Sequence, residues 1–397
     1  MSKWILMRRF LLAVVLVVLC AGAKAPDVRR EIRFPDLPGY RTLKCDFHMH
    51  TVFSDGNVWP TVRVDEAWRD GLDAIALTDH VEFQPHKEDV STNRNRSYEI
   101  ALARAKERYI LLIRGAEIAR STPPGHHNAI FLQDAEPLNV PDLDDAVGQA
   151  ALQKAFVFWN HPGSQGPPGS RWGQAQARLL ERKELHGVEI CNGQTYHPDA
   201  HRWAIEKGLV VVGNTDQHDP QPADRTPEVH RTTTLVFAVD KNLEAIKEAL
   251  LAGRTAVWCG NQIIGPQEYL RPLFDACVEV RPPHYRAGDM EGRPPQRRAR
   301  GNVCAELVNR CELNIELERV GAAGPEKITL PAGSTVLLRL QSPDKAESVD
   351  LAYRAVNFLV APDRSLEVKL TVAIPPAAPA TSTAPAAPAS SPAPQSR

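Results

Sequence analysis

Histidine and carboxylate residues recur in short clusters along the first half of the chain, and the first cluster lies at residues 46–56. In it His48 and His50 are two residues apart, and Asp55 follows shortly after them. If residues 44–50 form a strand, alternation sends both imidazoles to the same face. Two neutral imidazoles that converge on one point suit a borderline divalent metal, so this segment predicts a metal site.

Further clusters of the same kind follow, and most of their residues lie at or just after the end of an apolar run. The candidate ligands are His48, His50, Asp55, His80, Glu117, His126, His161, Asp216 and His218. A single zinc with an open position uses three protein ligands, so nine candidates can fill two or three metal sites if one carboxylate bridges. Glu117 is the candidate bridge. His126 and His127 point in opposite directions if the chain is extended, and we select His126.

Alternating apolar runs and amphipathic segments predict the elements that position these residues. The predicted strands are 44–48, 73–78, 110–117, 128–133, 155–160, 187–191, 209–215 and 232–238. The predicted helices include 62–70, 97–108, 142–154, 199–207 and 241–252. Seven or eight strand–helix units within about 220 residues favour a barrel. In a barrel the strand ends meet on one face, which would gather the candidate ligands.

The N-terminal sequence predicts an exported protein. An apolar run at residues 10–19 follows a basic start, and small residues at 21–23 offer a cleavage site. This pattern is typical of a secretory signal peptide, here residues 1–23, and the run is short for a membrane span. A periplasmic or secreted location follows. Two alternatives are a lipoprotein anchored through Cys20 and a twin-arginine signal at Arg8 and Arg9.

Composition changes divide the rest of the chain of 397 residues. We predict an extended lead-in arm at 24–43, a catalytic barrel at 44–260, a linker at 261–300, a β-sandwich at 301–374 and a disordered Ala/Pro/Ser tail at 375–397. A net charge of −1 gives no indication of sequence-specific nucleic-acid binding. After the signal, the sequence has no segment apolar enough to span a membrane. Cys304 and Cys311 could pair in an oxidising compartment.

The motifs H-x-H-T-x-x-S-D-G, T-D-H, a strand-end Glu, G-H, N-H-P and D-x-H occur in this order over residues 40–260. Together they resemble the PHP family, named for polymerase and histidinol phosphatase. The lead-in and the C-terminal extension also resemble secreted phosphodiesterases of the Sb-PDE type. The resemblance implies an α/β fold, a distorted (β/α)7 PHP barrel, followed here by a small all-β domain. It also implies a centre with two or three metals.

The resemblance implies three groups of metal ligands. They are His48, His50, Glu117 and Asp216 for the first metal, Glu117, His126 and His161 for the second, and Asp55, His80 and His218 for the third. Some family members have histidine where this chain has Asp55, which leaves occupancy of the third site open. Nitrogen and oxygen ligands of this kind suit manganese, iron and zinc alike.

The expected activity is hydrolysis of a small-molecule phosphoester, preferably a phosphodiester, by hydroxide formed at the metal centre. Catalytic roles are expected for Glu117 and for Asp216 as proton acceptor. The leaving group is expected to need either a proton from His218 or the third metal. Candidate substrate contacts are Arg94, Arg96 and Asn192. The alternatives are a phosphomonoesterase on the same centre, a non-catalytic metal-binding envelope module, and a carbohydrate- or envelope-binding protein that acts through its C-terminal domain.

Overall fold

The computed structural model describes residues 28–163, 171–222, 229–281, 286–287, 302–341 and 346–374. The predicted signal peptide at 1–23, with Cys20, and the predicted tail at 375–397 lie outside the described residues. Among the helices in the described ranges, none is both long enough and apolar enough to cross a bilayer.

Strands and helices alternate from Arg41 to Ile264. The strands are β1 (Arg41–Asp46), β2 (Ala74–Leu77), β3 (Leu111–Ile118), β4 (His127–Ile130), β5 (Phe156–Trp159), β6 (Gly187–Asn192), β7 (Thr195–Tyr196), β8 (Val210–Asn214), β9 (Thr233–Ala238), β10 (Thr255–Cys259) and β11 (Gln262–Ile264). The helices are α1 (Pro60–Arg69), α2 (Arg96–Arg108), α3 (Leu143–Leu152), α4 (Gln174–Glu181), α5 (Pro198–Lys207) and α6 (Leu243–Leu251). All eight predicted strands and all five predicted helices are therefore confirmed.

Local sequence explains these elements. Strands β2 and β5 are buried along their whole length, as expected for strands covered on both faces. Helix α6 begins at Asn242, whose side chain accepts a hydrogen bond from the Ala245 N–H, and it buries an apolar stripe that includes Ile246 and Leu250.

The strands of the first part form one curved sheet in the order β9-β1-β2-β3-β4-β5-β6-β8. The pairs β1/β2, β2/β3, β5/β6 and β6/β8 are parallel, whereas β4 and β9 run antiparallel to their neighbours. Strands β8 and β9 are joined through the Thr234 hydroxyl, which bonds the N–H and the C=O of Gly213 at 3.0 and 2.8 Å. This is the distorted barrel that the sequence predicts.

The C-terminal part is all-β after one helix. It contains α7 (Gln267–Cys277), β12 (Val278–Arg281), β13 (Arg286–Ala287), β14 (Asn302–Asn309), β15 (Ile315–Arg319), β16 (Lys327–Leu330), β17 (Thr335–Gln341), β18 (Ser348–Ala361) and β19 (Arg364–Ala373). In one sheet, β12, β13 and β17 each pair with β14. In the other, β15 and β19 pair with β18, and β16 pairs with β15. The predicted fold class is thus confirmed.

One sequence prediction in this part of the chain is wrong, and one open question is answered. The predicted linker at 261–300 contains β11, α7 and β12 up to Arg281, because residues such as Leu270 and Phe274 are buried in the core. Residues 282–285 and 288–300 lie outside the described residues. The sequence left the pairing of Cys304 with Cys311 open; both are buried free thiols, and the Cys311 thiol donates to the Asn309 side-chain oxygen.

The barrel and the C-terminal part share a core. Strand β11 pairs in parallel with β18, with Ile263 opposite Phe358. The Phe358 ring packs edge-on against Phe274 with centroids 5.5 Å apart, and both rings are buried. One continuous apolar cluster includes these residues and Trp258 of β10. The two parts should therefore unfold together.

Replacing Phe358 with alanine should destabilise both parts at once. We expect Phe358→Ala to lower the free energy of unfolding by about 3–5 kcal/mol. All seven tryptophans precede residue 260, so tryptophan fluorescence reports on the barrel. Urea unfolding followed by fluorescence and by circular dichroism should give coincident transitions. The control Val320→Ala, at a side chain that is 50% exposed, should change stability by less than about 0.5 kcal/mol. Two separate transitions would contradict the shared core.

Candidate metal centre

The fold places all nine candidate ligands around one face of the barrel. They lie at or next to strand ends: His48 and His50 after β1, His80 after β2, Glu117 near the end of β3, His161 after β5, and Asp216 and His218 after β8. His126 comes just before β4, but β4 is antiparallel to β3, so its start lies at the same face. Asp55 lies on the loop that follows β1. The convergence that the sequence predicts is present.

Two carboxylates face two imidazoles at the centre of the cluster. Glu117 Oε2 lies 3.3 Å from His48 Nε2 and 3.1 Å from His50 Nε2. Asp216 Oδ1 lies 3.1 Å from each of the same two nitrogens. Ligand atoms from these four residues all lie within 4.8 Å of one another, close enough to hold one ion.

The second oxygen of Glu117 faces another set of histidines. Glu117 Oε1 lies 3.0 Å from His126 Nδ1 and 3.5 Å from His161 Nε2. His80 Nδ1 lies 3.2 Å from Glu117 Oε2, and His80, Glu117 and His126 form a second group within 4.8 Å. Glu117 therefore stands between two sets of imidazoles, as a bridging carboxylate would. The ligand set that the resemblance implied for the second metal contained His161 but did not contain His80.

A third group surrounds Asp55. Its Oδ1 lies 3.3 Å from His218 Nε2, and its Oδ2 lies 3.5 Å from His80 Nε2. His50 joins this group through Nδ1, 3.6 Å from Asp55 Oδ1. Ligand atoms of these four residues also lie within 4.8 Å of one another. Because His50 and His80 belong to two groups each, the three groups are contiguous.

Several polar atoms at the centre are suited to a cation. His48 Nε2, His50 Nε2, His80 Nδ1 and Asp55 Oδ1 are buried and make no hydrogen bond to any residue that the structure describes. Buried polar groups normally have partners, and a cation would supply one for all of these atoms. Imidazole nitrogens with carboxylate oxygens are the donor set of manganese, iron and zinc sites. The residues present therefore fit divalent ions.

The pKa shifts of the central residues also indicate a site for a cation. Burial would by itself lower the pKa of His50, but Asp216 and Glu117 outweigh it and raise that pKa to about 9. Burial would raise the pKa of Glu117, but His48 and the other histidines hold it well below its usual range. Binding a cation at His50 should therefore release a proton.

Two of the candidate ligands have strained backbones. His161 has φ of 28° and Asp216 has φ of 52°, in the left-handed region that non-glycine residues rarely adopt. Such conformations cost on the order of 1–3 kcal/mol each. Their amides are held by hydrogen bonds, from His161 N–H to Glu189 Oε2 at 2.8 Å and from Asp216 N–H to the His48 carbonyl at 2.9 Å. Strain at both residues is consistent with a functional site.

Carboxylates of the motifs that are not candidate ligands organise the loops. Asp79, in the T-D-H motif, accepts hydrogen bonds from the Thr51 amide at 2.7 Å and from the Ser54 hydroxyl at 2.9 Å, and so orders the loop that leads to Asp55. Asp46 accepts from the Thr215 hydroxyl at 2.6 Å and so connects β1 to the segment that carries Asp216.

Arg63 ties together the loops that follow β1 and β8. Its side chain is fully buried, and its Nε donates to the His50 carbonyl at 2.8 Å. Its Nη2 donates to the carbonyls of Gln217 and His218 at 2.8 and 2.6 Å. Its Nη1 donates to the Glu66 carboxylate at 2.8 Å. One planar guanidinium thus fixes the positions of two candidate ligands relative to each other.

Sequence reasoning did not find Arg63 or Glu189. Glu189 is buried in β6 beside His48 and His161. Its signal was visible, because it is a charged residue inside the apolar run that predicted this strand. Arg63 gave no such signal, since an arginine in the first turn of an amphipathic helix is usually solvated.

The three predicted substrate contacts differ in position. Asn192 Nδ2 lies 3.3 Å from Asp216 Oδ2 and 2.9 Å from Glu189, so it is at the centre. The Arg94 guanidinium donates to Glu136 and to the Val81 carbonyl, and that of Arg96 donates to Glu99. The structure therefore engages both arginines with acidic or carbonyl groups outside the nine candidate ligands.

Comparisons with known proteins identify both parts of the chain. A family model of the PHP domain matches residues 46–149, and a model of an Ig-like domain matches residues 290–371. A crystal structure from Bacteroides vulgatus, of a two-domain protein containing a predicted PHP-like metal-dependent phosphoesterase, is 41% identical with a TM-score of 0.79. The match covers 88% of this chain and 100% of that one. The chain belongs to the PHP superfamily.

Two further matches are more distant. An uncharacterised protein of Methanocaldococcus jannaschii is 28% identical over 191 residues, which are 45% of this chain and 83% of that protein. The lesion-specific endonuclease Q of Pyrococcus furiosus is 13% identical with a TM-score of 0.37, and the match covers 57% of this chain and 59% of that one.

Shortening the Arg63 side chain should loosen the PHP centre. Lysine has one nitrogen and cannot reach the carbonyls and the carboxylate that the guanidinium serves, so we expect Arg63→Lys to weaken metal binding by about 10- to 100-fold. Equilibrium dialysis with inductively coupled plasma mass spectrometry measures this affinity. The control Arg69→Lys changes a partly exposed arginine on the same helix that bonds the Gln221 carbonyl, and it should leave affinity within about threefold. Equal effects of the two variants would contradict the role of Arg63.

Adding a methyl group at Gly56 should displace Asp55. A Cβ there would lie 2.5 Å from the His50 carbonyl carbon, so the backbone must move, at about 1–3 kcal/mol. We expect Gly56→Ala to lose the ion of the Asp55 group and to keep the ions held by Glu117, as counted by mass spectrometry. In the control Gly148→Ala the new methyl, in helix α3, meets no atom within 4 Å, and stability should rise by about 0.5–1 kcal/mol. Full metal content in Gly56→Ala would show that Asp55 is not a ligand.

Proposed function

We propose that the protein is an exported hydrolase of small-molecule phosphoesters, with a preference for phosphodiesters, that uses two or three divalent ions. The observation that carries this proposal is the buried Glu117 carboxylate, whose two oxygens face two different sets of histidines while Asp216 closes one side. Membership of the PHP superfamily and the match to the Bacteroides vulgatus protein support the same reaction class. Export rests on the sequence of residues 1–23 alone.

The proposed ligand sets are those implied by the family resemblance, and they overlap the three groups of the structure, which place His80 in the second group and His50 in the third. One ion would be held by His48, His50, Glu117 and Asp216, a second by Glu117, His126 and His161 with His80 close by, and a third by Asp55, His80 and His218. Bound divalent ions in such a centre supply a nucleophile near neutral pH from water and offset the charge of the phosphoryl oxygens.

Residues at the open side of the centre are positioned for the remaining chemistry. Asp216 is 19% exposed and turns Oδ1 inward, so Oδ2 can accept a proton from the attacking water. The Asn192 amide donates one N–H to Glu189 and the other to Asp216 Oδ2 at 3.3 Å, and it can donate the second N–H to a phosphoryl oxygen in place of Asp216. His218 is 35% exposed, the most open of the six candidate histidines. We propose that the leaving group is served either by a proton from His218 or, where His218 is a ligand, by the third ion.

The charges around the centre favour a diester over a monoester. In the described ranges, no lysine or arginine forms an ion pair with Asp55, Glu117 or Asp216, although each of them contacts histidines. A monoester is a dianion and is usually bound with the help of arginine forks, whereas a diester carries a single charge. Arg94 and Arg96, the two arginines that the sequence offered as substrate contacts, pair with Glu136 and Glu99 instead of with the carboxylates of the centre.

The test compares a bis-aryl phosphate with a mono-aryl phosphate, with manganese or zinc supplied after chelation of the purified protein. We expect chelation to abolish hydrolysis, readdition of metal to restore it, and the diester to have the higher kcat/KM. Asp216→Asn should lower kcat by about 10²- to 10⁴-fold, with metal content counted in parallel. The control Asp199→Asn changes an exposed carboxylate on α5 and should leave kcat unchanged.

The alternatives give different outcomes in the same experiment. A monoesterase would prefer the mono-aryl substrate, and a non-catalytic module would bind metal and hydrolyse neither substrate. Near wild-type activity in Asp216→Asn would exclude the proposed role of that carboxylate. Because the Ig-like domain shares a core with the PHP domain, cutting the chain near residue 260 would expose that core and would not test the two domains separately.

A further inference from the structure

Glu189 is a buried carboxylate that is in none of the three ligand groups and nevertheless touches the residues that form them. We infer that Glu189 is a positioning residue that fixes the His48 ring with its proton on Nδ1, so that Nε2 is directed at the metal centre, and that holds His161 in its strained backbone conformation. This inference rests on the proposed metal-dependent function.

Four groups surround the Glu189 carboxylate, from four different parts of the barrel. Oε1 lies 3.2 Å from His48 Nδ1 and accepts from Asn214 Nδ2 at 3.0 Å. Oε2 accepts from the His161 backbone N–H at 2.8 Å and from Asn192 Nδ2 at 2.9 Å. The side chain has no exposed surface, so water cannot replace any of these partners.

Three of these neighbours donate hydrogen bonds to Glu189. This determines which ring nitrogen of the fourth neighbour, His48, carries the proton. The Asn214 and Asn192 amides and the His161 amide each point an N–H at Glu189. An ionised carboxylate only accepts, so it satisfies all three and leaves Oε1 able to accept from His48 Nδ1. In the metal-bound protein, where His48 must be neutral, its proton is then on Nδ1 and the lone pair of Nε2 is available.

That lone pair is directed at the centre. His48 Nε2 lies between Glu117 Oε2 and Asp216 Oδ1 and has no hydrogen-bond partner among the described residues. A carboxylate behind a metal-binding histidine fixes the tautomer and the ring orientation, and its loss typically weakens metal binding. Oε2 of the same carboxylate holds the His161 N–H, where φ is 28°. One side chain therefore orients a candidate ligand on each side of Glu117.

An amide cannot replace this carboxylate although it has the same size. If the oxygen of a glutamine faced His48 and Asn214, its NH₂ would face the N–H groups of His161 and Asn192. In the reverse orientation the NH₂ would face Asn214 and His48 Nδ1 and would favour a proton on His48 Nε2. In either orientation the glutamine NH₂ faces at least one other buried N–H group, and neither can be satisfied. Glu189→Gln should therefore disturb His48 and His161 without adding bulk.

The experiment measures metal affinity and the His48 tautomer in the full-length protein. Zinc titration of Glu189→Gln, followed by equilibrium dialysis and mass spectrometry, should show a loss of about 10- to 100-fold in affinity at the His48 ion, with a smaller change at the Asp55 group. Glu189→Asp, which keeps the charge, should recover part of this loss. The control Glu206→Gln, at an exposed position on α5, should bind zinc as the wild type does.

The second readout is made on the wild-type protein, and a variant serves only to assign its signals. Long-range ¹H–¹⁵N spectra of the zinc-loaded wild type, with the His48 signals assigned by a His48→Gln spectrum, should show the His48 proton on Nδ1. A proton on Nε2, or zinc affinity in Glu189→Gln within about threefold of wild type, would overturn the inference. A protein that binds zinc as expected but hydrolyses no phosphoester would refute the proposed function and leave the role of Glu189 standing.

Discussion

The structure is organised around one buried carboxylate that contacts five histidines. Glu117 is 1% exposed, and its two oxygens lie within 3.5 Å of His48, His50, His80, His126 and His161. Its orientation is fixed by Asn160, whose Nδ2 donates to Oε1 at 2.8 Å. A buried charge is costly unless it is compensated, and here the compensation comes from rings on four strands or their loops. The strands must therefore close into a barrel for Glu117 to be tolerated.

A second ring of charged groups holds the loops in place. Asp46, Asp79, Glu189 and Arg63 are each buried, and each bonds backbone amides or carbonyls of the segments that carry candidate ligands. Backbone contacts of this kind fix where a loop lies, while the ligand side chains remain directed inward. The strained residue His161 is held in this way by Glu189, whereas the Asp216 amide is held by the His48 carbonyl. Buried contacts from the barrel thus fix the loops that carry the candidate ligands.

Much of this arrangement could be predicted from the sequence because it depends on local patterns. Apolar runs predicted the strands, and a polar residue at the end of each run predicted the cluster. The surrounding residues depend on long-range contacts. Arg63 bonds carbonyls more than 150 positions away, and nothing local distinguishes it from a solvated helix residue. The predicted linker was wrong for a related reason, since its composition does not show that Phe274 packs against Phe358.

The shared core gives the Ig-like domain a structural role in the PHP domain. Strand β10 carries Trp258, whose ring stacks on His230 with centroids 3.5 Å apart, and β11 then extends the sheet to β18. Without β18 the edge of β11 would be unpaired and the apolar surface around Phe274 would be exposed to water. His230 also bonds the Gly260 carbonyl and lies next to Arg231, which pairs with Asp46 beneath His48. A continuous path of buried contacts thus connects the C-terminal domain to the metal centre.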